Sequence, residues 1–211
     1  MTPKKQAYEK LANSMIKNLA KRNIEGYYCA DSKSAVALAM ELMKDAKTAG
    51  AGGSESIKEC GLLDAVKSSS IHFIDRDTAK TPEEKKAIFL ETMTCDYFLM
   101  SSNAITINGE LVNIDCNGNR LACMMQGPEH VLMIIGMNKV TSDVDAAIAR
   151  VHNMAAPANA ARLGTKTPCG TVGHCMDCHS EDCMCVHTVI TRHTRQKGRI
   201  KIILVGEELG Y

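Results

Sequence analysis

The chain has 211 residues with 25 basic and 24 acidic side chains, a balance that argues against the many phosphate contacts of non-specific nucleic-acid binding. Three Phe, five Tyr and no Trp leave little surface for stacking single-stranded bases, and no uncharged apolar run reaches the roughly 20 residues of a membrane-spanning helix. A chain of this length can bury about 70% of its unfolded surface, so its ten cysteines are not needed as staples, and a cytoplasmic protein with reduced thiols is the expectation.

The first residues, MTPKKQAYEKLANSM, carry lysines but no apolar core, unlike a secretory signal. Over residues 4–22 the spacing of Tyr8, Leu11, Ala12, Met15, Ile16 and Leu19 predicts an amphipathic helix. EGYYC reads as a short strand, and AVALAMELMKDA as a helix capped by Asp31 or Ser32. KTAGAGGSESIKECG reads as strand, glycine turn and helix start, and IHFID (71–75) as a buried strand. In TPEEKKAIFLETM, Thr81 is the predicted N-cap, with Pro82 at the first helical position and Glu84 closing a capping box. CDYFLMSS is a further strand. Strand–helix alternation up to residue 100 implies crossover units and a largely parallel sheet.

The pattern then changes. Asn108-Gly109 lies between two β-rich runs and predicts a two-residue hairpin with both residues at positive φ. HVLMIIGMNKV (130–140) is apolar enough for a central strand covered on both faces. Ser142 and Asp145 are expected to cap a helix that ends at Pro157, and HTVITRHTR and RIKIILVG to form two last strands. The fold class is α/β with an antiparallel excursion.

Three stretches could hold an anion. Gly52-Gly53-Ser54 joins a strand to a helix and offers bare backbone N–H groups; the alternative is a plain glycine turn. It is neither a Walker loop nor a full dinucleotide fingerprint. Ser102, Asn103, Asp115, Asn117, Asn119 and Arg120 gather polar groups at turns beyond strands, where open α/β sheets place ligands. Arg120 offers a planar fork for a carboxylate or phosphate, although Asn and Gly also simply make turns. Lys139 ends an apolar strand, as an anion partner in a cleft or as its solvated end.

PCGTVGHCMDCHSEDCMC (168–185) puts five cysteines into eighteen residues. Cys175 and Cys178 form a C-x-x-C pair of the kind that lets two sulfurs converge on one ion. Two of Cys169, Cys183 and Cys185 would complete four thiolates, with His174 and His179 as nitrogen substitutes. Zinc and an iron–sulfur cluster are not separable on this spacing, and inert or redox thiols are the alternative. Cys29, Cys60, Cys95, Cys116 and Cys123 read as small core residues.

Taken together, GGSESIKECG, SSNAITINGELVNIDCNGNR, GPEHVLMIIGMNKV, AAPANAARL, PCGTVGHCMDC and KIILVGEELGY resemble the lactate-utilisation (LUD) domain family in its short, single-domain branch. The resemblance implies one domain over residues 1–211, with residues 168–186 as a metal-binding appendage. It implies a NagB/RpiA/CoA-transferase-like sheet flanked by helices, as in glucosamine-6-phosphate deaminase and ribose-5-phosphate isomerase. It also implies a part in oxidising L-lactate to pyruvate beside separate iron–sulfur subunits in a cytoplasmic complex. By motif, Gly52, Gly53, Ser54, Asn103, Asn119, Arg120 and Lys139 would bind a small anionic substrate. Glu59 and Asp115 would fall in the same site and are the candidate catalytic carboxylates if the chain is a stand-alone enzyme, and Cys169, Cys175, Cys178 and Cys185 would be the metal ligands. CMC replaces the family's basic-aliphatic-Cys ending, which makes Cys183 an alternative fourth ligand. A stand-alone enzyme on a sugar phosphate or CoA thioester and a non-catalytic assembly module are the competing readings, and homo-oligomerisation is left open.

Overall fold

The computed structural model describes residues 2–211. Ten strands are present: β1 (Glu25–Cys29), β2 (Thr48–Ala51), β3 (His72–Ile74), β4 (Tyr97–Met100), β5 (Ala104–Thr106), β6 (Leu111–Asp115), β7 (His130–Gly136), β8 (Val140–Thr141), β9 (His187–Thr191) and β10 (Ile200–Val205). Six form one sheet in the order β1-β10-β7-β4-β2-β3, every pair parallel. The other four form a smaller mixed sheet, β8-β5-β6-β9.

The central position of β7 follows from its composition. Val131, Met133 and Ile135 join the core on one face, which also takes in buried residues of the helix Pro3–Ala20, while Leu132 and Ile134 join the core on the other, with buried residues of the helix Ser32–Leu42. A strand with both faces covered must be apolar at every position, because successive side chains alternate between faces. IHFID is buried only in part: Ile71 and Ile74 are in the core, but β3 is the sheet's edge and its His72 is exposed. A parallel strand bonded on one side only can leave residues in solvent.

Helix starts follow local chemistry closely. Asp31 caps the helix Ser32–Leu42, and Thr81 and Glu84 make a reciprocal capping box with Pro82 in the first turn of the helix Pro82–Thr92. Replacing Thr81 with Ala orphans the Glu84 N–H it accepts from, 3.2 Å away. The expected cost is about 1 kcal/mol, read as a lower urea midpoint at unchanged slope.

Two predictions are corrected here. The β5–β6 connection is a three-residue loop closed by Gly109 N donating to Thr106 O and Thr106 N to Glu110 O, at 2.8 and 2.9 Å. Only Gly109 has positive φ, 92°, and Asn108 does not, as in three-residue hairpin loops with a left-handed third residue. The helix capped at Asp143, rather than at Ser142 or Asp145, does not stop at Pro157. It runs from Val144–Arg150 through a π turn, Val151–Ala155, into Ala156–Leu163. The wider π turn accommodates the ring and missing N–H of a proline in the first turn of the next segment.

Four of the five cysteines assigned to the core are buried, whereas Cys116 is exposed in the turn after β6. Among the described residues, no helix is long and apolar enough to cross a membrane.

Candidate functional site

The sheet order sets where a cleft can open. From β2 the chain moves outward to β3, then returns to β4 on the other side of β2 and continues to β7. Connections therefore diverge between β2 and β4, and at such a switch point the turns beyond the strands' carboxyl ends separate to leave a crevice. A cleft of about 620 Å³ lies there, lined by Gly52, Gly53, Ser54, Asn103, Asp115, Asn119, Arg120 and Lys139. The fold thus brings eight of the nine non-cysteine residues picked from sequence to one cavity. The ninth, Glu59, lies outside the lining; its exposed carboxylate accepts the Gly210 N–H.

The residues that share this cavity differ in what they leave free. Arg120 is engaged by the protein itself. Its Nε donates to Asp115 at 3.1 Å. One terminal nitrogen donates to Asn113 Oδ1 and Ser101 O at 3.1 and 3.5 Å, the other to Asn103 Oδ1 and Ile114 O at 3.0 and 2.8 Å. All five N–H groups of a guanidinium are accounted for by these contacts, so the arginine ties together the turns after β4 and β6. Asp115 is held as well, accepting the Gly118 N–H at 3.1 Å through its other oxygen. Gly52 permits the close packing: a Cβ there would meet Arg120 Cδ at 3.2 Å.

Lys139 is the opposite case. It sits in a 3-10 turn after β7 and is 4% exposed. Its Nζ donates to Ser56 Oγ at 2.7 Å and Ser101 Oγ at 3.2 Å, both neutral acceptors. Burial lowers its pKa to about 7; the Arg150 and Arg120 charges add to this, against only a weak pull from Glu59. Arg150 is itself fixed, donating to Asn138 O at 3.1 Å and Asn103 O at 2.7 Å, so it locks the turns after β7 and β4 together.

Ser54 precedes the short helix Glu55–Glu59 but makes no capping bond, and its buried hydroxyl has no partner. A buried hydroxyl left unpaired costs about 1–3 kcal/mol, which marks it as a group whose partner is supplied from the cleft. The Arg76 guanidinium nitrogens lie 3.7 Å from where a Gly53 Cβ would sit, with Asp77 as a loose, exposed partner at 3.6 Å. Other lining cations are matched: Lys58 and Arg162 pair with Glu55 at 3.3 and 3.5 Å, and Lys67 with Asp75 at 2.6 Å.

Sequence reasoning missed Ser56, Ser101 and Arg76. Ser56 sits inside the quoted GGSES stretch, but nothing local says that it will meet a lysine 83 residues away.

The cysteine segment departs most from expectation. Glu181, Asp182, Cys183, Met184 and Cys185 form part of the cleft wall, but the four-thiolate zinc or iron–sulfur site does not form. Among the described residues, no group of three or more His, Cys, Asp or Glu side chains converges closely enough to hold a metal ion. The thiols lie near one another, with Cys178 and Cys183 hydrogen-bonded and the other four all acting on Cys185, but most also contact a separate neighbour. A short helix, Pro168–Val172, buries Cys169 3.4 Å from Thr167 Oγ1. Cys175 sits 3.1 Å from His152 Nδ1, and Cys178 3.5 Å from Ser180 Oγ. Cys183 Sγ donates to the Cys178 carbonyl at 3.4 Å. Cys185 packs against the small sheet's core, where burial and neighbouring thiols push its pKa up to about 11, which favours the thiol over the thiolate a metal needs. His174 and His179 are exposed.

The family model described as the LUD domain matches residues 12–205. No curated protein matches the chain. Among solved structures, a DUF162 family protein from Deinococcus radiodurans is similar with a TM-score of 0.54, over 94% of this chain and 98% of that one. Sequence identity is 9%, so the likeness is one of fold alone.

Proposed function

We propose, from the premise that this chain belongs to the LUD domain family, that its cleft takes up a small organic anion, a hydroxy or oxo carboxylate, within a system that oxidises L-lactate to pyruvate. The observation that carries this reading is the convergence of three groups on one cavity: the Lys139 amine with no carboxylate partner, the unpartnered Ser54 hydroxyl, and Arg76 beside Gly53, held only loosely by Asp77. The anionic end of the ligand belongs at Ser54 and Arg76, with Lys139 beside the carbon that carries the oxygen. Arg120 acts here by holding Asn103 and Asp115 in place. Separate redox subunits would accept the electrons, since the reading assigns no electron carrier to this chain.

A second reading rests on size. A volume of about 620 Å³ is more than a three-carbon acid fills, which favours a sugar phosphate or the acyl end of a CoA thioester. A parallel sheet with its ligand at the strand ends would then work like the NagB/RpiA/CoA-transferase enzymes.

A thermal-shift and calorimetric screen of L-lactate, pyruvate, ribose 5-phosphate and acetyl-CoA separates the two. The carboxylates should raise Tm, since a ligand at a hundredfold its Kd adds about 2.7 kcal/mol to stability. Ser54→Ala and Arg76→Ala should each weaken that binding roughly tenfold, as expected for loss of a contact worth about 1.4 kcal/mol. No shift with either carboxylate would sink the small-acid reading, and a shift with ribose 5-phosphate alone would replace it by the second.

A further inference from the structure

The Lys139 nitrogen is arranged unlike a lysine that serves only as a counter-charge. A counter-charge lysine at this depth is paired with a carboxylate, whereas Nζ here faces two serine hydroxyls. The Ser56 hydroxyl gives its own proton to Leu209 O at 3.1 Å, and the Ser101 hydroxyl gives its proton to Ser102 O at 3.3 Å. Both oxygens are thereby fixed as acceptors. A neutral amine has two N–H bonds and one lone pair, so the two serines take up both N–H bonds and leave the lone pair as the unoccupied position. Gly210 leaves room beside the nitrogen, since an added Cβ there would lie 3.4 Å from it. Charged groups from the surrounding elements act against protonation: Arg150 on the helix after β8 and Arg120 after β6, with Glu59 alone opposing them.

We propose that the Lys139 amine is a nucleophile that condenses with the carbonyl of a short 2-oxo acid to form an imine in the cleft. This deepens the small-anion reading and rests on it. The lone pair attacks the carbonyl carbon, a C–N bond forms, and the displaced π pair on oxygen takes up a proton as the nitrogen releases one. The hydroxyl then takes up the nitrogen's second proton and leaves as water with its bonding pair, while the nitrogen lone pair closes the C=N bond. One oxo acid and one amine give one imine and one water, with no oxidant or reductant involved.

Ser56, which touches the amine, is two residues from Ser54, so the Cα atoms behind the amine contact and the anion-binding hydroxyl are at most about 7 Å apart. A carbonyl directly beside a carboxylate fits that span. An imine draws electrons from the neighbouring carbon, so the chemistry it opens is proton exchange, addition or decarboxylation beside the carbonyl.

The test is reductive trapping of the full chain with pyruvate and sodium cyanoborohydride, followed by digestion and mass spectrometry, with ribose 5-phosphate as a parallel probe. Calorimetry of pyruvate without reductant runs alongside. The expected result is a single reduced pyruvate adduct on the peptide carrying Lys139, lost in Lys139→Met and Lys139→Arg. Its yield should rise through about pH 7, whereas surface lysines react near pH 10. Pyruvate that binds by calorimetry but leaves no adduct on Lys139 overturns the imine while sparing the small-anion reading. Failure to bind at all removes that reading. An adduct formed with ribose 5-phosphate alone overturns the oxo-acid assignment, and adducts scattered over surface lysines overturn the selectivity of Lys139.

Discussion

Arg120→Ala is expected to destabilise the folded chain by about 3–5 kcal/mol, the range for removing one member of a buried, hydrogen-bonded ion pair. The loss has several parts that act together. Asp115, whose side chain is only 10% exposed, would keep a charge with no cation beside it. Asn103 Oδ1 would keep its bond from Ile114 N, but Asn113 Oδ1 would lose one of its donors, and two backbone carbonyls theirs. Arg120→Lys should recover little, because an ammonium has three donors and no planar fork to reach five acceptors on two turns. Urea denaturation measures both variants. A loss below about 1 kcal/mol for the alanine variant would mean that solvent replaces these bonds readily, which would contradict the fivefold anchoring. Loss of ligand binding in Arg120→Ala would therefore follow from collapse of the turns, and would not by itself place the guanidinium on the ligand.

How much of this was legible in the sequence depends on how local the governing physics is. The first helix, the Thr81 capping box and the central position of β7 follow from neighbours within a few residues or from an unbroken apolar run, and the sequence shows them directly. Parallel strands put their carboxyl ends on one edge, which accounts for the glycine turn after β2, the turn after β4 and Lys139 after β7. The turn carrying Arg120 follows β6 in the other sheet, and its place in the same cleft was implied only by the family resemblance.

What stayed hidden depends on contacts between distant segments. Arg120 and Lys139 looked alike as free cations, yet one meets five acceptors and the other two serines, 83 and 38 residues away. No local pattern distinguishes them. The proline at 157 looked like a stop because a helix interior lacks room for its ring, and only the π turn before it relieves that clash. The cysteines misled for a related reason. Spacing along the chain says that thiols can meet, and Cys178 and Cys183 do; but Cys169, Cys175 and Cys178 also lie against Thr167, His152 and Ser180, and among the described residues no three ligands close on one point.

Lys139→Met is expected to make the protein more stable while abolishing imine formation, with a gain that depends on pH. The unfolded lysine keeps a pKa near 10.5, whereas the folded one is lowered to about 7. Between those values the unfolded state carries a proton that the folded state lacks, so the wild-type chain gains stability as pH rises, by about 1.4 kcal/mol per unit. Below about pH 7 both states are protonated and the cost of burying the charge is complete, at most about 5 kcal/mol from the size of the shift, before any local relaxation. Above about pH 11 both are neutral and the cost disappears. Methionine has similar length and no charge to bury, so its advantage should be largest at pH 6 and should shrink steadily toward pH 10. Urea titrations of both proteins at pH 6, 8 and 10 read this directly. An advantage that stays constant with pH would mean that the folded lysine remains charged throughout, and the amine would then lack the lone pair on which its chemistry depends. A chain that holds such a lysine against this cost, between two serines at the wall of the cleft, retains at that position a group that folding alone would disfavour.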